Sequence, residues 1–232
     1  MLWGLKPVEQ QAAYGLAVER LKRLIHLGLL LPDERMPSER KLAELISISR
    51  VTLREALRVL EGQGYITVRR GATGGAFVAG EEQLRHMAEQ HIAGDPASAM
   101  RVFEYRESVE PLAARLASIR RTPADLKRLD GAIDEIRQAT SPGELRRGEA
   151  AFHLSIGQAS HNRFLETGLE EALASLFLPL PLGDLAKEQA QSLMLRERVA
   201  EALHDRMEPE AEHRMKIVVE VEQQRLPKRL VA

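Results

Sequence analysis

PSERKLAELISISRVTLREALRVL, residues 37–60, decides how the rest of the chain is read. It divides into two short helical segments joined by a tight turn. In the second, Leu53, Leu57 and Leu60 recur at helical spacing, so one stripe faces a core, while Arg50, Arg54 and Arg58 share another face. Ser49 stands where an N-cap is wanted: its hydroxyl accepts a free backbone N–H, and the positive helix end beside it suits a phosphate. The first segment, residues 39–46, is expected to turn Leu42, Leu45 and Ile46 inward. Ser47 and Ile48 make the turn, with Ile48 as an apolar plug. This is helix-turn-helix patterning, in which the second helix enters the major groove. A row of arginines alone is more often a solvated helix face, and the glycine-punctuated stretch after it tips the reading. Beyond Gly62 and Gly64 come two β-rich runs, residues 65–70 and 76–78, separated by a glycine-laden turn, which completes a winged helix.

These residues resemble the GntR superfamily of bacterial transcription regulators, whose signature reads P-S-E-R-x-L-A, then S-R-x-T-x-R-E-A-L-x-x-L, then a glycine-rich wing ending in F-V. Here the elements are Pro37-Ser38-Glu39-Arg40, Ser49-Arg50-Val51-Thr52-Leu53-Arg54-Glu55-Ala56-Leu57 and Gly74-Gly75-Ala76-Phe77-Val78. Two positions depart from the pattern. Asp33-Glu34 occupies the place of a glycine turn, and Ser47 replaces a common glycine between the helices, where strain is therefore expected. The resemblance implies DNA contacts from Arg40, Ser49, Arg50, Thr52 and Arg54, with Gly71, Gly74 and Gly75 in a wing tip that enters the minor groove. Arg50 and Arg54 are the expected base readers, because a guanidinium grips guanine O6 and N7 in a bidentate way.

The charge distribution agrees with that division of labour. The net charge is only −1, yet residues 1–80 hold 12 Lys and Arg against 8 Asp and Glu, whereas residues 81–232 hold 21 against 26. A basic first part suits phosphate contact, and an acidic remainder does not. With 232 residues and 44% hydrophobic content, the chain suits one large domain or two small ones, and the absence of cysteine removes disulfides and thiolate metal sites. Aromatic residues make up only 4%, which argues against a base-stacking surface for single strands. Without a leader pattern or a long uncharged run, no membrane partner and a cytoplasmic location are expected.

Residues 1–11, with the single tryptophan Trp3, read as a loose arm. Residues 12–30 read as an amphipathic helix on Tyr14, Val18, Leu21 and Ile25, bracketed by Gly28 and Pro32. His26 falls in its last turn, where a cation suits the helix dipole, and a structural role is expected for it. The expected boundary is Gly80, giving a winged helix-turn-helix DNA-binding domain over 1–80 and an all-α helical bundle for effector binding and dimerisation over 81–232. The fold class is mainly α. Helices are expected over residues 83–93, 97–121, 123–138, 142–160, 163–177, 187–206 and 208–225, with Asp125, Asp130, Asp134 and Glu135 on a solvated face.

The helical half is similar to the FadR-type ligand-binding domain, through Tyr105-Arg106-Glu107-Ser108-Val109-Glu110-Pro111-Leu112-Ala113-Ala114 and through Phe152-His153 followed by Ala159-Ser160-His161-Asn162. That resemblance implies a homodimer on a pseudo-palindromic double-stranded DNA operator, with a small-molecule effector shifting the spacing of the two heads. Relatives of this type commonly hold a metal through an Asp, a His four residues on, and two later His. Here those positions read Glu149, His153, Arg196 and Val218, so no transition metal is expected, a guanidinium being a fixed cation and valine lacking a donor. Arg196, with Arg106, His153 and Asn162, is instead expected to supply charge and hydrogen bonds to an anionic effector such as a carboxylate, unless Arg196 pairs with Glu149 and closes the pocket. The expected function is a ligand-responsive transcription regulator, a repressor that its effector releases from the operator, and not an enzyme. Two alternatives are a constitutive dimeric DNA-binding protein without an effector, and a metal-dependent enzyme using Glu149 and His153 at i, i+4.

Overall fold

A computed structural model describes residues 13–71, 74–177 and 184–226. Trp3, the N-terminal arm and two residues of the wing tip lie outside that range. The chain begins with α1 (Ala13–His26), α2 (Glu39–Ile46) and α3 (Arg50–Gly62), followed by a hairpin of β1 (Ile66–Arg69) and β2 (Gly75–Val78). The remainder is helical: α4 (Glu81–Gly94), α5 (Pro96–Arg120), α6 (Pro123–Gln138), α7 (Pro142–Ala159), α8 (Arg163–Leu176), α9 (Leu185–His204) and α10 (Glu208–Gln224). A winged helix-turn-helix ahead of a helical half is the architecture the sequence implied.

Capping sets the recognition unit. Ser38 and Ser49 accept backbone N–H groups from Lys41 and Thr52, which starts α2 and α3 at the expected residues. Between the helices Ser47 adopts a left-handed conformation, φ 57°, and Ile48 N–H returns to the Ala43 carbonyl at 3.0 Å. Leu53, Ala56, Leu57 and Leu60 of α3 meet Val18, Leu21 and Ile25 of α1, with Leu42 and Ala43 of α2 closing the core. Leu45, expected inside, is 58% exposed, because the short α2 buries a narrower stripe and Ala43 takes the inward position. The helix α1 stops at His26, and Gly28 takes the left-handed conformation (φ 71°) common just past a helix end.

The hairpin is antiparallel, pairing Ile66 with Val78 and Arg69 with Gly75. A third segment adds to its edge: Met36 N–H bonds the Ala76 carbonyl and Val78 N–H the Glu34 carbonyl, both at 2.9 Å, around an isolated bridge from Arg35 to Phe77. Asp33, at φ 61°, makes the bend that brings this segment in, a left-handed conformation that Asp adopts more readily than most residues.

The helical half has its own core around Phe103, Phe152, Ile136, Val199, Met215, Val218 and Val219. Ala113, Ala114 and Ala117 on α5 are essentially inaccessible, and such small side chains allow close approach of a neighbouring helix axis. Helix α4 spans both cores: Leu84 and Ala88 join the first and Ile92 the second. Asp125, expected on a solvated face, is buried. Its carboxylate accepts from Thr122 in a capping box, from His161 at 2.8 Å and from Arg128, so it anchors the start of α6.

Because a β-carbon is disfavoured in the left-handed region, Ser47→Gly is expected to stabilise the recognition unit by up to about 1 kcal/mol, the relieved strain outweighing the added freedom of the unfolded chain. Urea unfolding monitored by circular dichroism measures it, and a lower midpoint in the variant would contradict it.

Candidate functional site

Two groups of side chains stand out, one on the winged helix and one inside the helical half. On the first, Arg40, Arg50 and Arg54 are all exposed and point outward from α2 and α3. Each faces a carboxylate of α2. Arg54 Nε donates to Glu39 at 2.8 Å, Arg50 lies 4.0 Å from the same carboxylate, and Arg40 pairs with Glu44 at 3.0 Å. Such exposed pairs are worth about 0–1 kcal/mol and yield readily to a phosphate or a guanine edge. The Ser49 hydroxyl lies 2.8 Å from that of Thr52, so both are engaged at the helix start.

Between α3 and the hairpin runs a groove of about 830 Å³ whose lining includes Arg35, Arg54, Arg58, Arg69, Gly71 and Gly74. Arg35 fixes the wing by donating to the Gly74 carbonyl at 2.6 Å, and Arg69 lies over the Phe77 ring at 4.3 Å. Gly74 admits no side chain, since a β-carbon would collide with the Arg69 carbonyl. Arg35 and Arg69 escape a reading of the sequence because neither sits on the helical stripe; the available signal is their place just before and within the hairpin. Val51, 71% exposed beside Arg50, is a further outward side chain on α3.

The second group is a ring of charges in the bundle. His153 on α7 lies between two carboxylates, Nδ1 at 2.6 Å from Glu110 of α5 and Nε2 at 2.8 Å from Glu222 of α10. Arg106 donates from Nε to Glu110, one turn along α5, and from Nη2 to Glu222 at 2.7 Å. Arg196 on α9 donates from Nη2 to Glu222 and from Nη1 to the Ser192 hydroxyl at 2.8 Å. Arg106 and Arg196 are wholly buried, yet Arg106 Nη1 and Arg196 Nε have no hydrogen-bond partner among the described residues.

Burial pulls the His153 pKa down, but Glu110 and Glu222 outweigh it and raise it above 6.5. Burial pushes both carboxylates up, and the facing cations overcome that: Arg106 and His153 lower Glu110, while His153, Arg106 and Arg196 hold Glu222 well below the usual carboxylate range. Both ring nitrogens of His153 lie at hydrogen-bond distance from carboxylate oxygens, which only accept, so the ring donates from both as an imidazolium, and its 3.2 Å approach to Arg196 is that of two donors sharing one Glu222 oxygen.

Around this ring, Glu149 accepts from Ser192 at 2.7 Å and from Arg225 at 3.0 Å, and lies 3.5 Å from Arg196. Gly148 beside it permits α7 to press on α6, where a β-carbon would sit 2.9 Å from the Ile136 nitrogen. The structure thus brings Arg106, Glu149, His153 and Arg196 together. Asn162 stands apart from them, its side chain capping α8 by accepting from Phe164 N–H at 3.1 Å. Sequence reasoning misses the part played by Glu110 and Glu222. Their signal is acidity on a buried stripe: Glu222 continues the inward face of α10 beyond Ala211, Met215, Val218 and Val219.

The metal of the helical relatives does not fit this donor set. Both nitrogens of His153 are spent on carboxylates, Arg196 puts a fixed cation beside it, and Val218 lies in the apolar core.

The two halves meet at the end of α1. His26 Nδ1 donates to the Ala174 carbonyl at 2.9 Å, which leaves Nε2 to accept from the Tyr65 hydroxyl at 3.0 Å. Its ring stacks on Phe177, centroids 4.0 Å apart. Burial, opposed by the bond to Ala174 and aided by His91, takes its pKa from 6.5 to about 4, so His26 is neutral and structural rather than a cation on the helix dipole. Arg146, from α7, donates to the His26 carbonyl at 2.7 Å.

A winged helix with an outward arginine row, joined to a helical half with a charged centre, is the architecture of a bacterial transcription regulator. Residues 13–78 match the model of bacterial regulatory proteins of the gntR family, and residues 101–220, more than half of the chain, match the FCD domain. The chain belongs to the GntR family and carries an FCD domain. It is similar to the Uxu operon transcriptional regulator of Escherichia coli, 34% identical over 58% of this chain and 53% of the relative, so it spans about half of that protein's length. It is also 28% identical, over 76% of this chain and 74% of the relative, to the E. coli protein named "Putative L-lactate dehydrogenase operon regulatory protein". The solved structure of E. coli McbR/YncC has a TM-score of 0.56 at 21% identity, covering 93% of this chain and 97% of that one, which shows the shared fold. The family and these relatives are regulators of transcription, not enzymes.

The charge ring gives stability a definite pH dependence. Carboxylates held below 4.5 contribute above that value, and their contribution is lost as pH falls through the lower folded values of Glu110 and Glu222. His153, raised above 6.5, contributes below that value, and its share is lost as pH rises through its higher folded value. The share of the ring in stability is expected to be constant between pH 4.5 and 6.5 and to decline on both sides, while His26, lowered from 6.5 to about 4, adds a separate fall in total stability as pH drops below 6.5. Urea midpoints against pH test this, and a decline above pH 6.5 that is as steep in His153→Gln would refute the assignment to His153. Arg106→Ala, which takes one buried partner from both Glu110 and Glu222, should cost about 3–5 kcal/mol in the same assay.

Proposed function

We propose that this protein is a ligand-responsive DNA-binding transcription regulator acting as a homodimer, with residues 1–80 binding a pseudo-palindromic operator and residues 81–232 binding a small carboxylate and pairing with a second copy. The effector reading is carried by two wholly buried guanidinium groups, Arg106 and Arg196, each with an N–H that no group among the described residues satisfies. Buried donors are almost always satisfied, and a carboxylate is the natural acceptor for a guanidinium. One relative carries L-lactate in its name, which supports the same chemistry. Helix α7 offers a route to the head, because it carries His153 and Glu149 as well as Arg146 on the His26 carbonyl. Carboxylate binding that releases the protein from DNA makes it a repressor. The closure of the ring by its own carboxylates favours a second reading, in which the centre is structural and DNA binding is constitutive.

Arg50 and Arg54 read bases in this proposal, and Arg40, Ser49 and Thr52 meet or shape the path to phosphates. Duplexes selected from a randomised pool by the purified protein supply the operator. Arg50→Ala or Arg54→Ala is then expected to weaken it by ~1–3 kcal/mol and relax one base position, whereas Arg40→Ala weakens all sequences alike and flattens the salt dependence. Fluorescence anisotropy with and without L-lactate and other small carboxylates separates the two readings. Release by a carboxylate, lost in Arg196→Ala, supports the regulator; binding to DNA that no carboxylate alters supports the constitutive protein.

A further inference from the structure

The charges of the ring do not cancel. Arg106, Arg196 and the imidazolium of His153 converge on two carboxylates, Glu110 and Glu222, which leaves one positive charge in excess. The next shell holds Glu149, 3.5 Å from Arg196, and Glu188, but it also holds Arg225, which pairs with both, and Arg146, which is turned to the His26 carbonyl. Two carboxylates and two guanidinium groups there balance, so the excess at the centre stands. Glu222 joins the two guanidinium groups of the ring. One of its oxygens takes Arg106 Nη2, and the other takes both Arg196 Nη2 and His153 Nε2. The unused donors, Arg106 Nη1 and Arg196 Nε, belong to the same two groups that Glu222 links.

From this arrangement we infer that Glu222 determines the specificity of the proposed effector site, acting as a resident carboxylate that leaves room for one further negative charge and selects monocarboxylates over dicarboxylates. The inference rests on the carboxylate reading above. Glu222 cannot turn aside to admit a dianion, because doing so strips Arg106, Arg196 and His153 of a shared partner inside the core, where an unpaired charge is costly. Its helix is fixed by Met215, Val218 and Val219 in the same core. A second negative charge would therefore meet Glu222 in a medium that screens poorly. Replacing its carboxylate by an amide keeps the shape and adds one unit of positive charge to the ring.

Isothermal titration of the full-length protein with L-lactate, acetate, malonate and succinate tests this. The wild type is expected to bind the monocarboxylates more tightly. In Glu222→Gln the ratio of mono- to dicarboxylate affinity should shift toward dicarboxylates by about tenfold or more, whereas Glu222→Asp, which retains the charge, should preserve the wild-type preference. A ratio unchanged in Glu222→Gln, with binding intact, overturns the role of Glu222 and leaves the effector reading standing. No carboxylate bound by the wild type overturns the effector reading itself. Should Glu222→Gln fail to fold, tighter binding of malonate or succinate than of the monocarboxylates by the wild type still refutes the inference.

Discussion

The helical half is organised around an electrostatic constraint: guanidinium groups placed in a core have to be neutralised there. Arg106 and Arg196 come from α5 and α9, and the carboxylates that answer them come from α5 and α10, with His153 of α7 between. Four helices therefore share one set of charges. Apolar packing tolerates modest sliding and repacking, whereas a buried ion pair that loses its partner costs several kcal/mol. The ring accordingly fixes the register of α5, α7, α9 and α10 more strictly than Phe103, Phe152 or Val218 would alone. It also concentrates charge at the place where the proposed effector would be recognised.

Much of this is legible in the chain because local rules act strongly. Serines before α2 and α3, Thr122 before α6 and Ser141 before α7 mark helix starts by accepting a backbone N–H of the first turn. In the sequence the helix positions follow from the Ser49 cap, the apolar period and the breaker residues. What escapes is set by partners distant in sequence. Nothing near Asp125 announces that His161 will bury it, and Leu45 looks as apolar as Leu42, which alone is covered. Arg196 can be singled out as a departure from a metal-binding pattern, but its counter-charge cannot, because Glu222 lies on another helix and reads as surface until the inward face of α10 is known. Asn162 carries two signals at once: its place in a recognisable motif suggests a ligand role, and its amide oxygen caps the start of α8.

On the winged helix, the arginine row is held in reserve by acidic residues of α2. Glu39 meets both Arg54 and Arg50, and Glu44 meets Arg40. These contacts keep long side chains from collapsing at random, so in the proposed DNA-binding role part of the ordering is already done, while the exposed pairs remain weak enough to exchange for phosphate oxygens. The wing is positioned in a similar way, through Arg35 on Gly74 and the extra segment that joins the hairpin edge.

The seam between the halves limits how freely they can be recombined. His26 and Tyr65 belong to the winged helix, Ala174 and Phe177 to the end of α8, and Arg146 to α7, and together they form one bonded and stacked unit. A chimaera that set a different DNA-binding head on this helical half at residue 80 would keep Phe177 and Arg146 but lose the imidazole that one stacks against. A stacking face and a donor would be exposed to water or covered by whatever the new head brought. The two parts are therefore exchangeable without loss only where the new head brings a ring to meet Phe177 and a carbonyl to meet Arg146.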